Sequence, residues 1–223
     1  MIGSSVMPFR SLIFDFNGTL SDDEHLMEAV TAEVLARHAT PPTHREYIDR
    51  LAGLSDEAMV RTWLGDREDV DAIVTERIDA YRRLVYDGST VEGRMREVVR
   101  AAAERAPIGI VSGAALAEIQ PVIEAAGIAG LFSCVVTSDD VLEGKPHPEG
   151  YLVALGLLRG SAAADLQAGQ VAVIEDTEAG VLAAKAAGMY CLALLGTMTA
   201  DRLSAADELV ETIDVALVER LLG

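Results

Sequence analysis

The sequence predicts an α/β fold: a Rossmann-like, doubly wound parallel sheet with a helical cap inserted after its first strand. Three observations carry this. Short apolar runs recur along the chain, apolar on consecutive positions, as in strands covered on both faces. Helical patterns alternate with them, the order that builds parallel sheets. The connection from the first run to the second is far too long for one crossover helix. The first strand is expected at Leu12–Phe16. The stretch from Asp22 to Asp87 reads as several amphipathic helices without strand signal, broken near Pro41–Pro42, at Gly53 and at Gly65. A helix from Gly93 to Arg105 returns the chain to the sheet. Strands follow at Ile108–Val111, Cys134–Thr137, Val171–Ile174 and Tyr190–Leu195. The helices between them are expected at Ala114–Ala126, ending at Gly127, at His147–Leu158 after Pro146, and at Glu178–Ala187, ending at Gly188. The expected division is a core of residues 1–21 and 88–223 and a cap of residues 22–87.

Composition narrows the function. The 223 residues hold 36 acidic against 18 basic side chains, a formal charge of −18. Such a chain repels phosphate backbones and anionic lipid, which argues against nucleic-acid and membrane-surface partners. Half the residues are hydrophobic but only 4% are aromatic, so Ala, Leu and Val must fill the core. The segment MIGSSVMPFR lacks the apolar centre of a secretory signal, and no apolar run is long enough to span a bilayer. Cys134 and Cys191 lie inside apolar runs and read as buried free thiols. A cytoplasmic protein is expected. Its only two lysines are Lys145 and Lys185.

Ligands of open α/β sheets bind outside the carboxyl ends of the strands. Those ends carry Asp15, followed by Phe16-Asn17-Gly18-Thr19; Ser112-Gly113; Gly144-Lys145-Pro146, after Asp139-Asp140; and Glu175-Asp176. This set suits phosphoryl transfer. A carboxylate can attack phosphorus and form an aspartyl-phosphate. Mg²⁺ takes hard oxygen ligands, usually one or two carboxylates plus phosphate and water, and Asp15 and Asp176 can supply them. Ser112 and the helix amides after it suit a phosphate oxygen. Lys145 would neutralise charge on the transferring group. Each residue also has a plainer reading. Asp15 before Asn-Gly makes a turn, Ser112 and Asp176 cap helices, and a lysine before proline is ordinarily solvated.

Four segments settle the balance. LIFDFNGTLSDDE resembles motif I of the haloacid dehalogenase superfamily, IVSGA motif II, GKPHPEGY motif III and VIEDTEAGVLAAKAAGM motif IV. They occur in order over essentially the whole chain, spaced as in members with a helical cap after motif I. The nearest likeness is to the phosphoglycolate phosphatase and β-phosphoglucomutase-like branch. The resemblance implies Asp15 as nucleophile and Mg²⁺ held by Asp15, Asp176, Glu175 as ligand or supporting acid, and the backbone carbonyl of Asn17. It places Gly18, Thr19, Ser112, Gly113 and Lys145 at the phosphate.

Position 17 departs from the pattern. Phosphatases of the family carry there an aspartate that acts as general acid and base, a role worth roughly 10²–10⁴-fold in rate. An amide cannot exchange that proton. Asn17 therefore predicts a slow phosphatase, or one suited to good leaving groups. Three accounts stand open: an amide introduced to trap the enzyme, another acid such as Asp22, Asp23 or Glu24 taking over, or deamidation at Asn17-Gly18 returning an aspartate. Lysine counting removes one branch. The cap has none, which excludes the Schiff-base chemistry of phosphonatases. Glu175-Asp176 argues against the metal-free dehalogenases, and acids in Leu51–Glu57 argue against a phosphomutase.

The expected function is thus a Mg²⁺-dependent phosphatase of a small phosphorylated metabolite. A binding protein that has lost turnover and a phosphomutase are the alternatives. His25, just after motif I, is within reach of the site mouth, but surface or packing roles lead for it and for His38, His44 and His147. Trp63 reads as cap packing. Arg50 and Arg61 are candidates to meet the far end of a substrate, although solvated arginines are commoner. The stretch Asp66–Asp71 reads as an exposed face and Lys185 as a surface residue.

Overall fold

The computed structural model describes residues 8–161 and 164–223. β1 (Ser11–Phe14), β2 (Ile108–Val111), β3 (Cys134–Val136), β4 (Val171–Glu175), β5 (Tyr190–Leu194) and β6 (Glu208–Val210) form one parallel sheet in the order β3-β2-β1-β4-β5-β6. The five expected strands are present. β6 was not expected: it is three residues long, carries Glu208 and occupies the edge, where little burial is needed to hold it. Leu12, Ile13 and Phe14 of β1 and all of β4 are buried, as central strands covered on both sides must be.

β1 stops before the expected Phe16. The Phe16 carbonyl instead accepts the amides of Leu20 and Ser21 at 2.9 Å each, closing a turn that leaves Asp15 at the strand end. The helices α5 (Gly93–Ala103), α6 (Leu116–Ala125), α7 (Glu149–Ser161), α8 (Glu178–Ala186) and α9 (Val215–Leu222) accompany the sheet. α6 begins two residues late because the Ala114 amide donates to Ser112 Oγ at 3.1 Å and the Ala115 amide to Glu118 Oε2 at 3.1 Å. Lys185 is not simply solvated: it holds Asp207 at 2.6 Å, just before β6.

Between β1 and β2 lie α1 (Glu24–Leu35), α2 (His44–Arg50), α3 (Asp56–Leu64) and α4 (Val70–Val85). Each of the expected breaks separates two of them. Thr43 caps α2 reciprocally with Glu46, Ser55 caps α3, and Gly65 ends α3 at φ +76°. α1 and α3 pack on α4, burying Val30, Val34, Met59, Val60, Ile73 and Tyr81. Arg77 of α4 is buried and pairs with Asp56 of α3 and with Glu118 of α6, at 2.5 Å for the latter. A cation thus ties the helical insertion to the sheet layer. Among the described residues no helix is long and apolar enough to cross a membrane.

Candidate active site

The strand order reverses between β1 and β4, since β2 extends the sheet on one side and β5 on the other. A crevice opens at the carboxyl ends of such a pair. Register sets Phe14 beside Ile174, and the Asp15 amide donates to the Ile174 carbonyl at 2.9 Å. Asp15 and Glu175 therefore leave adjacent strands at the same level, with Asp176 next. One ligand oxygen from each lies within 4.8 Å of the others, all buried.

Lys145 enters this cluster from the loop before α7. Its Nζ donates to Asp15 Oδ1 and to Glu175 Oε1, both at 2.5 Å. Burial works against its charge, but the two carboxylates outweigh burial and raise its pKa. The Tyr151 hydroxyl donates to Glu175 Oε1 at 2.6 Å, and the Asp176 amide and Thr177 Oγ1 donate to Oε2 at 3.3 Å each. Both oxygens of Glu175 are thus taken by protein donors. Asp176 accepts from Thr197 Oγ1 at 2.5 Å and Thr19 Oγ1 at 3.4 Å. Room for the two acids is carved by glycine. A Cβ on Gly180 would stand 2.0 Å from the Glu175 carboxylate, and one on Gly18 (φ +73°) 2.1 Å from Asp176 Oδ2.

Three buried acids share one lysine. Burial, then the charge of Glu175, push the Asp15 carboxyl up to about 8 against the pull of Lys145. Burial and the neighbouring carboxylates hold Asp176 well above the usual range. A hard divalent cation would relieve that imbalance, and the all-oxygen donor set suits Mg²⁺. The residues present therefore fit the metal.

Ser112 and Gly113 follow β2 and line the same cavity as Asp15, Asn17 and Lys145. Its opposite wall comes from the insertion: Glu24, Met27, Tyr47, Gly53, Leu54, Asp56 and Met59. The walls meet closely, since a Cβ on Gly53 would lie 2.7 Å from Thr177 Oγ1. The volume between the walls is about 30 Å³, room for water rather than for a phosphate ester.

Not every expected residue joins. Gly18 and Thr19 face a separate depression with Asp22 and Thr90. The Gly18 amide is spent on Ser21 O at 2.9 Å and Thr19 on Asp176, so they support the acids rather than line the cavity. Asn17 Nδ2 donates to Asp23 Oδ2 at 3.0 Å and Tyr81 Oη at 3.2 Å. His25 is exposed and its neighbour Glu24 lines the cavity instead. Arg50 lies over the Trp63 ring, and Arg61 holds Glu57 and Asp66, so neither reaches the cavity. Apart from Glu24, the insertion wall was not expected, nor were the supports Tyr151, Thr177 and Thr197. Which helix face closes over the sheet depends on packing; Tyr151 and Thr177 lie inside the quoted motif segments, but a motif does not say which side chain reaches Glu175.

The family model described as Haloacid dehalogenase-like hydrolase matches residues 12–194. The chain belongs to the haloacid dehalogenase-like hydrolases. Among relatives of this hydrolase is the validoxylamine A 7′-phosphate phosphatase of Streptomyces hygroscopicus subsp. limoneus, 31% identical over 210 residues, covering 92% of this chain and 94% of that one. The phosphoglycolate phosphatase of Yersinia pseudotuberculosis is 26% identical over 192 residues, covering 83% and 80%. A crystal structure of β-phosphoglucomutase from Clostridium difficile shares the fold at TM-score 0.78 and 18% identity, covering 92% of each chain. This member of the haloacid dehalogenase-like hydrolases is a phosphatase.

Proposed function

We propose that the phosphatase is Mg²⁺-dependent, acts in the cytoplasm and turns over through an aspartyl-phosphate on Asp15. The observation that carries this is the bridge of Lys145 between Asp15 and Glu175 at the β1–β4 switch point. Asp15, Asp176 and the Asn17 carbonyl would hold the metal; Glu175, with both oxygens occupied, would fix Lys145 and stay out of the coordination sphere. Bound there, Mg²⁺ supplies charge neutralisation for a phosphate oxygen and the nucleophile. Asp15 attacks phosphorus in line. Ser112, Gly113 and Lys145 hold the remaining phosphate oxygens.

Residues 22–87 act as the cap in this reading. The small volume between the walls fits a cap that parts from the sheet for substrate entry and closes again before chemistry. Among the described residues, the cap wall offers Glu24, Tyr47 and Asp56 and no cation, and Lys145 is the only lysine or arginine lining the cavity. Such a wall suits hydroxyl groups and disfavours the second phosphate of a phosphomutase substrate. A polyhydroxy phosphate monoester is the substrate class we propose. The relative that acts on validoxylamine A 7′-phosphate supports it.

The test is phosphate release from p-nitrophenyl phosphate and a panel of sugar and cyclitol phosphates. Turnover should require Mg²⁺ and vanish in Asp15→Ala. No turnover across the panel with Mg²⁺ binding intact would sink the reading and favour a protein that binds a phosphometabolite without hydrolysing it.

A further inference from the structure

The amide at position 17 leaves the reaction without its usual proton carrier, and the structure separates the three acids that follow. Asp22 is exposed and lies at the depression of Gly18 and Thr19, away from the nucleophile. Asp23 is fully buried behind Asn17; its Oδ2 accepts from Asn17 and Tyr81, its Oδ1 from the Gly18 amide at 3.3 Å, and it does not line the cavity. Glu24 lines the cavity together with Asp15, Asn17, Ser112 and Lys145. Its Oε1 is buried and has no hydrogen-bond partner, so one carboxyl oxygen is uncommitted.

We propose that Glu24 is the general acid and base of this phosphatase, in place of the amide at position 17. This rests on the aspartyl-phosphate reading above. As Asp15 Oδ forms its bond to phosphorus, the ester P–O bond breaks and the proton of Glu24 passes to the departing alkoxide. Glu24, now a carboxylate, takes a proton from water. That water oxygen bonds to phosphorus, the Asp15–phosphorus bond breaks, and inorganic phosphate leaves with Glu24 protonated again.

The surroundings fit a group that must both give and take a proton. The carboxyl is pushed up to about 7, first by burial and then by the charges of Asp23 and Glu28, against the Tyr47 hydroxyl and the charge of Arg77. The charge of Glu24 in turn helps to raise the Asp176 carboxyl. Proton carriers work best when their pKa lies near the working pH. Glu24 is also the first residue of α1, so closing the cap and presenting the acid are one motion.

Two substrates decide the matter. p-Nitrophenolate departs without a proton, whereas the alkoxide of glycerol 2-phosphate needs one. In Glu24→Gln, release of glycerol should fall by roughly 10²–10⁴-fold and the p-nitrophenolate burst by less than tenfold. Glu24→Asp should retain part of the glycerol rate and shift its acidic and basic limbs. Adding Asn17→Asp with Asp23→Asn to Glu24→Gln, which sets a carboxyl at position 17 beside an amide donor, should restore at least tenfold. Equal losses on both substrates, or none, would overturn the assignment, as would Glu24→Asp behaving like Glu24→Gln. If the parent protein bursts with neither substrate, the phosphatase reading itself fails and this assignment falls with it.

Discussion

The amide of Asn17 and the carboxylate of Asp23 are joined by a hydrogen bond of 3.0 Å, and the Tyr81 hydroxyl bonds to both. Asp23 is fully buried, and burial pushes its carboxyl up to about 6 even with these donors. The amide at position 17 is therefore matched to its neighbour: a carboxyl there would face another carboxyl.

Asn17→Asp alone should for this reason be a poor gain-of-function variant. Both carboxyls cannot ionise at 3 Å without cost, and a lost buried hydrogen bond costs about 1–3 kcal/mol. The melting temperature should drop by several degrees at pH 8, since roughly 2–4 °C accompanies each kcal/mol at this size. The drop should shrink toward pH 5, where one proton can be shared. Adding Asp23→Asn should recover most of it. Thermal unfolding at the two pH values reads the effect.

The buried pair Arg77–Glu118 sets a pH dependence of stability. Burial, then Asp56, push the Glu118 carboxyl up to about 8 against the pull of Arg77. The folded chain therefore keeps a proton on this site that the unfolded chain, with an ordinary value of 4.5, has lost. Stability from this site is complete below about 4.5 and falls as pH rises to about 8, by up to about 1.4 kcal/mol per pH unit. Glu118→Gln should flatten that slope with little loss at pH 7. Arg77→Met should cost about 3–5 kcal/mol, since it leaves two buried carboxyls without their cation. Urea unfolding from pH 5 to pH 8 checks both.

The fold and the sheet side of the site were legible because their signals are local. A consecutive apolar run fixes a buried strand, and the residue after it falls at the carboxyl edge; Asp15, Ser112 and Glu175 follow from that alone. β6 escaped because Glu208-Leu209-Val210 has neither length nor continuous apolarity. Gly18 and Thr19, expected at the phosphate, lie beside the acids instead because their loop satisfies its own amides. Glu24 was only one of three candidate acids, and Tyr47 and Asp56 escaped as cavity residues, because helical periodicity gives a buried face but not what that face covers.

Thr197 is not among the residues lining the Asp15 cavity, yet it should govern metal affinity. Its hydroxyl donates to Asp176 Oδ2 and so fixes the carboxylate that we assign to Mg²⁺. Removing such an outer partner typically weakens metal binding by about 10–100-fold. Thr197→Val should raise the Mg²⁺ dissociation constant by that factor and leave kcat at saturating Mg²⁺ within a few-fold. Calorimetric titration of Mg²⁺ measures the first and steady-state rates the second. An unchanged affinity would remove Asp176 from the metal site.

Two glycines of neighbouring helices should respond in opposite ways to one added methyl. In α8, a Cβ on Gly180 would lie 2.0 Å from the Glu175 carboxylate, which has no space to retreat because both its oxygens are bonded. Gly180→Ala must shift Glu175 and with it the Lys145 ammonium that Glu175 anchors. A misplacement of about 1 Å can cost 10²-fold in rate, and overpacking costs about 1–3 kcal/mol. In α7, Gly156 is exposed and a Cβ there meets nothing within 4 Å. Gly156→Ala should stabilise by about 0.5–1 kcal/mol, through the backbone freedom that the unfolded chain loses, and leave the rate alone. Measured side by side, melting temperature and kcat should move down together in the first variant. In the second, only melting temperature should move, and upward; full activity in Gly180→Ala would mean that the Glu175–Lys145 pair does not position the reacting groups.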